Sequence, residues 1–169
     1  MSFKDKILSR EALASKIAQL KKKGKRVAFT NGCFDILHFG HVSYLELAKT
    51  KTKADILIVG INSDASVRVL KGRSRPIVPQ KERASVIAAL ACVDFVVIFK
   101  ELTPAETVQA LKPDILIKGA DWRGRGIAGA EEVKSWGGKV VFIRFIHGCS
   151  TTAIIEKIQE ECKAQLIKN

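Results

Sequence analysis

Apolar positions along this chain alternate between two spacings. From Arg10 to Lys22, Leu13, Ile17 and Leu20 recur at helical intervals among charged residues, which predicts an amphipathic helix. Ser9 is placed to cap its start, and Gly24 follows its basic end. Val27 to Thr30 is a short apolar strand that Asn31-Gly32 interrupts. His41 to Lys51 then reads as a helix, with Val42, Leu45 and Leu47 available to a core. Asp55 to Ile61 is apolar almost throughout, as in strands covered on both faces. Gln80 to Leu90 is helical, with Pro79 suited to its first turn, and Asp94 to Phe99 is a strand. Thr103-Pro104-Ala105-Glu106 has the form of a capping box with proline at the first helical position. Pro113 ends the helix that follows. Ile115 to Lys118 is a strand, Ala130 to Trp136 a helix stopped by Gly137-Gly138, Val140 to Ile143 a strand and Thr152 to Ile167 the final helix.

Strand and helix thus alternate five times without a long linker or an obvious repeat. That order predicts a single Rossmann-like, three-layer α/β domain with a five-stranded parallel sheet. Residues 1–24 are expected as a helical extension of a domain spanning 25–169. Ligands of such sheets bind beyond the carboxyl ends of the strands, where strand order reverses. The loops to inspect are therefore 31–41, 62–64, 118–126 and 144–151.

At 169 residues and 47% hydrophobic, the chain can bury one ordinary core. No apolar run approaches the roughly 18 residues of a membrane span, and Met1 to Arg10 lacks the apolar core of a signal peptide. A soluble, cytoplasmic protein without membrane contact is expected. Cys33, Cys92, Cys149 and Cys162 match no zinc spacing, and reduced thiols are expected. The formal charge of +12 suits an anionic partner. No nucleic-acid motif accompanies it, nor do aromatic residues interleave the basic runs, so nucleic acid is not the expected partner. Lys21-Lys22-Lys23 and Lys49, Lys51 and Lys53 read as solvated helix ends that touch nothing specific.

His38-Phe39-Gly40-His41 carries the clearest chemistry. It follows the first strand and opens a helix. Two imidazoles three residues apart there face one side, beside free N–H groups and the positive end of the helix dipole. Gly40 permits close approach of backbone and phosphate. A zinc site would need a third ligand, for which Cys33 or Asp35 could be proposed. The G-x-G-x-x-G and G-x-x-x-x-G-K-[ST] phosphate motifs are absent. Gly124-Arg125-Gly126 reads as a solvated basic loop.

Thr30 to His41, as TNGCFDILHFGH, resembles the signature of the cytidylyltransferase-like nucleotidyltransferases. Asn62-Ser63-Asp64, Leu70-Lys71-Gly72, Lys118-Gly119-Ala120-Asp121-Trp122 and Gly148-Cys149-Ser150-Thr151-Thr152 follow in order. Together they resemble the adenylyltransferase domain of bacterial ADP-heptose synthases, over residues 25 to 160.

The resemblance implies transfer of AMP from Mg²⁺-bound ATP to a heptose 1-phosphate, with His38, His41 and Lys71 catalytic. It implies nucleotide contacts from Asn31, Gly32, Phe34, Gly40, Arg83, Lys118, Asp121, Ser150, Thr151 and Thr152. It places Asp35, Asp64 and Trp122 on the acceptor side and assigns no direct protein ligand to a metal. Plainer roles stand beside these: a cap for Ser150, turn or cap residues for Asp35 and Asp64, a surface charge for Arg83 and a loop anchor for Trp122. Cys149 reads as a packing residue, and His147 has no assigned role. A homodimer is expected. A sugar kinase often fused to such domains would have to be a separate chain. Cytidylyl transfer to glycerol 3-phosphate or a similar alcohol phosphate shares the first motif. A basic nucleic-acid-binding module is the alternative of another class.

Overall fold

The computed structural model describes residues 2–144 and 148–167. Five strands form one parallel sheet: β1 (Val27–Gly32), β2 (Ile56–Asn62), β3 (Phe95–Phe99), β4 (Ile115–Gly119) and β5 (Lys139–Ile143). Their spatial order is β3-β2-β1-β4-β5, so the order reverses between β1 and β4. The helices are α1 (Arg10–Lys22), α2 (Phe39–Thr52), α3 (Asp64–Lys71), α4 (Gln80–Ala88), α5 (Ala105–Leu111), α6 (Ala130–Ser135) and α7 (Thr151–Ile167).

The period-two pleat divides each strand between two cores. Val27 and Phe29 of β1, with Ile58 of β2, pack beneath α1, α5 and α6. Ala28 of β1 and Leu57, Val59 and Ile61 of β2 pack beneath α2 and α4. Both faces are dry, which is why β2 reads as an unbroken apolar run. Residues 1–24 carry α1, whose Leu13 and Ile17 are buried in the first of these cores. Ser9 caps α1 as expected, its Oγ accepting from the Ala12 N–H at 3.2 Å.

Three local expectations are corrected. Asn31-Gly32 does not break the first strand, because both residues continue the ladder opposite Gly60 and Ile61. The chain turns two residues later, at Phe34, whose φ is 46°. The capping box at Thr103 is not made: α5 begins at Ala105 with Pro104 as its cap, and no side chain bonds the cap. Lys21 and Lys49 are not idle. Lys21 pairs with Asp114 at 2.8 Å, and Lys49 bonds the Asp55 carbonyl at 2.6 Å and pairs with Asp94. These lysines lie near the ends of helices whose C-terminal dipoles favour cations, and acids at the strand starts neutralise them. No helix among the described residues is long and apolar enough to cross a membrane.

Candidate active site

A cavity of about 720 Å³ opens at the carboxyl ends of β1 and β4, at the reversal of strand order. Five segments wall it: the loop after β1, the end of α3 with the loop beyond it, the β3–α5 connection at Leu102-Thr103-Pro104, the turn after β4 and the start of α7. The β1, β4 and α7 segments are those expected from the order of elements; of 62–64 only Asn62 lines the cavity, and the α3–α4 and β3–α5 connections are added.

The β1 loop shapes the centre. Phe34, in the left-handed region, folds its ring back onto Gly32, where a Cβ would lie 2.9 Å from the ring. The same ring then tilts against His41, with centroids 5.1 Å apart. His38 is the extended N-cap residue of α2, and its ring stacks on His41 at 3.7 Å between centroids. Gly40 makes this stack fit. A Cβ there would meet Cys149 Cβ at 2.9 Å and the His38 ring at 3.1 Å.

Both histidines are neutral near pH 7. Burial lowers the His38 pKa. His41 is pushed down to about 4, first by burial and then by His38, with the Ile36 carbonyl and Asp35 partly offsetting. Nδ1 of His38 is buried without a hydrogen-bond partner among the described residues.

Lys118, at the end of β4, is the buried cation of the site. Its Nζ donates to Asn31 Oδ1 at 2.5 Å and lies 5.3 Å from the centroid of the Trp122 ring. Burial drives its pKa down to about 8, against the opposing charge of Asp121. Trp122 is 40% exposed and lines the cavity, so it is not a core residue.

At the opposite wall from the α3–α4 loop, Ser150 Oγ accepts from the Ala153 N–H at 3.0 Å. Ser150 therefore caps the start of α7 while lining the cavity beside Thr151 and Thr152. Cys149 packs against Gly40, the packing role expected of it, and also lines the cavity. All four cysteines are free. His147 lies outside the described residues.

The chain matches the model of the cytidylyltransferase-like family over residues 29–157. It belongs to that family. Among curated proteins, Bifunctional protein HldE of Pelobacter propionicus is 54% identical over 155 residues, 92% of this chain and 31% of that protein. Bifunctional protein HldE of Geobacter sulfurreducens is 51% identical over 153 residues, 90% of this chain and 31% of its own length. The chain thus spans about a third of the length of these relatives, 31% in each case. Among solved structures, the lipopolysaccharide core biosynthesis protein from Thermoplasma volcanium superposes with a TM-score of 0.59 at 29% identity. It covers 73% of this chain and 98% of its own. Pantoate-beta-alanine ligase from Francisella tularensis, at 17% identity and a TM-score of 0.54, covers 82% of this chain and 66% of its own and shares the fold.

Several residues that the family pattern suggests as substrate contacts are occupied in holding the site together. Asp35 has a side chain only 1% exposed. It accepts from Arg75 Nε at 2.7 Å, from the Ile77 N–H at 2.9 Å and from the Val78 N–H at 2.8 Å. Arg83 is 1% exposed and is not part of the cavity wall. It bonds the carbonyls of Val78 at 2.8 Å, Asn62 at 2.9 Å and Cys33, and pairs with Asp64 at 2.7 Å. One guanidinium thereby ties the β1 loop, the end of β2 and the start of α4 together. Asp64 is engaged in that pair and lies outside the wall. Lys71 does line the cavity, exposed at the end of α3. Arg75, which the residue pattern did not distinguish from its basic neighbours, lines it too.

Among the described residues no group of three His, Cys, Asp or Glu side chains could hold a metal ion. The zinc alternative therefore has no ligand set there. An ion carried on nucleotide phosphates needs no such cage, because Mg²⁺ keeps several waters and few protein ligands.

Proposed function

We propose that the chain transfers AMP from ATP to D-glycero-D-manno-heptose 1-phosphate, giving ADP-heptose and pyrophosphate. The observation that carries this reading is the stacked His38–His41 pair at the start of α2, at the switch point of the sheet. The HldE relatives and the lipopolysaccharide core biosynthesis neighbour support the sugar branch.

An oxygen of the sugar phosphate attacks the α-phosphorus in line, and pyrophosphate leaves on the far side. The attacking phosphate is already ionised, so no general base is needed. Positioning and charge stabilisation carry the rate. His38 and His41 offer neutral hydrogen-bond donors to the oxygens on which charge grows. Lys71 adds a cation, and Ser150, Thr151 and Thr152 receive phosphate at the start of α7. Lys118, fixed by Asn31, and Trp122 form the wall for the nucleoside. When bound, Mg²⁺ shields the charge of the triphosphate. The sugar phosphate comes from a kinase activity, and the enzyme works in the cytoplasm as a homodimer.

The family's description favours a second reading, cytidylyl transfer to glycerol 3-phosphate or a similar phosphate. Pyrophosphate release by purified protein, measured with each of the four nucleoside triphosphates and heptose 1-phosphate, separates the two. ATP should give the highest kcat/KM. A higher value with CTP overturns the adenylyl assignment.

A further inference from the structure

Joining two phosphorylated molecules in line sets a geometric demand. The leaving pyrophosphate and the attacking phosphate lie on opposite sides of the α-phosphorus, so two anion-binding walls must flank the histidines. The start of α7 is one wall. It follows β5 and lies on the β4–β5 side of β1. The α3–α4 loop follows β2 and lies on the other side.

That loop holds a guanidinium prepared for use. Arg75 lines the cavity with a side chain only 15% exposed. Its Nε is given to the buried Asp35 carboxylate at 2.7 Å. Its two Nη groups make no hydrogen bond or ion pair among the described residues. Asp35 also takes the N–H groups of Ile77 and Val78, so the backbone just beyond Arg75 is pinned as well. An arginine held by Nε presents a planar pair of donors with little rotamer freedom left to lose, the geometry that grips phosphate in a fork. The charges of Lys71 and Arg75 both reach the Cys33 thiol, where they oppose the upward push of burial. Lys71 and Arg75 both line the cavity, at the two ends of the short stretch that leaves α3. The Trp122 ring, Gly119 and Gly126 line the β4 side, where a nucleobase and ribose can be received.

We infer that Arg75, oriented by Asp35 and aided by Lys71, binds the phosphate of the acceptor. This rests on the transfer reading above, with the acceptor a phosphate monoester. Asp35 acts through Arg75 and is a positioning residue.

Two measurements test it, on wild type, Arg75→Gln and Arg75→Lys. In the kinetic one, Arg75→Gln should raise KM for the sugar 1-phosphate about tenfold or more and leave KM for ATP within about threefold. Arg75→Lys keeps the charge but loses the fork, and should raise the acceptor KM severalfold. It carries the test if the glutamine variant does not fold. The second measurement needs no turnover. Iodoacetamide alkylation of Cys33, followed by mass spectrometry, is run with inorganic phosphate and with chloride at matched ionic strength. Phosphate should slow Cys33 alkylation severalfold in wild type, less in Arg75→Lys and not at all in Arg75→Gln. The inference is overturned if phosphate gives wild type no protection, if Arg75→Gln is protected equally, or if KM rises for ATP instead of the acceptor. If protection depends on Arg75 but no sugar 1-phosphate is turned over, the anion site stands and the transfer reading falls.

Discussion

The Asp35→Asn substitution separates a substrate contact from a structural latch. The carboxylate offers two oxygens to three donors: Arg75 Nε, Ile77 N–H and Val78 N–H. Asparagine keeps one acceptor and turns an NH₂ toward the remaining donor. A charge-assisted hydrogen bond contributes about 1.5–3 kcal/mol, and a buried donor left unpaired costs about 1–3 kcal/mol. Arg75 is partly exposed and water can reach it, so the lower half of that range applies to the lost pair. A total of about 2–4 kcal/mol follows, and for a chain of this size that is roughly 5–15 °C in Tm. The acidic branch has a definite sign. Burial pushes the Asp35 pKa up, but the Val78 and Ile77 amides and Arg75 outweigh it and hold it below the usual value. A carboxylate depressed in the fold stabilises above its unfolded pKa, and that stability is lost as pH falls through the folded one. The gap between wild type and variant should therefore be constant from pH 5 to 8 and close below about pH 4. Thermal melting across pH measures it. Faster amide hydrogen exchange at Ile77 and Val78 would locate the loss in the loop. The reasoning fails if Asp35→Asn melts within 2 °C of wild type at pH 7. An unchanged Tm with a raised acceptor KM would make Asp35 a direct substrate contact.

Three further predictions follow from the wall residues. Lys71→Ala should lower kcat/KM by about tenfold or more, equal to about 1.4 kcal/mol at the transition state; activity within a factor of two of wild type would make Lys71 a solvated charge. His38→Asn and His41→Asn should each fold and lose on the order of 10²-fold in kcat, with ATP affinity by calorimetry nearly unchanged. Normal turnover in both folded variants removes the main support for the mechanism. Lys118 should impose an alkaline limb near pH 8, because its ammonium is held down there and loses its charge as pH rises. Lys118→Arg keeps the charge and should carry the limb upward, and a kcat/KM profile from pH 6 to 10 in which the limb does not move would exclude the role.

Much of this is legible in the sequence, for a definite reason. Periodicity depends on which face a side chain buries, so helices such as Arg10–Lys22 and the five strands declare themselves locally. The position of the cavity followed from alternation alone, since crossovers in a parallel sheet place connecting loops at its carboxyl edge. Partnership between charged side chains is not local. Asp35 is 40 residues from Arg75, and Asp64 is 19 from Arg83. Nothing in a carboxylate's own neighbourhood tells whether it faces a substrate or a guanidinium. The failed capping box has the same origin. Thr103 had the right spacing, but it lines the cavity, and Pro104 took the cap position.

The site's charge arrangement gives its histidines a narrower task than their titration would suggest. His38 and His41 stack on each other beside the positive end of α2, with cations in the walls on either side. A proton added to either ring would face the other ring and that field, so neutrality is the low-energy state at pH 7. In His38 the buried Nδ1 has no partner, and an unpaired donor there would cost more than an unpaired lone pair. The proton therefore belongs on Nε2, where it can be donated into the cavity. A neutral donor binds a ground-state phosphate oxygen weakly and strengthens its bond as charge gathers on that oxygen. Lys71 and Arg75 face phosphates that already carry their charge in the ground state, so their attraction changes less along the reaction. On the proposed transfer, the histidines would then discriminate in favour of the transition state, while Lys71, Arg75 and the start of α7 would hold the reactants in line. On this division, loss of a cation should appear mainly in KM and loss of a histidine mainly in kcat.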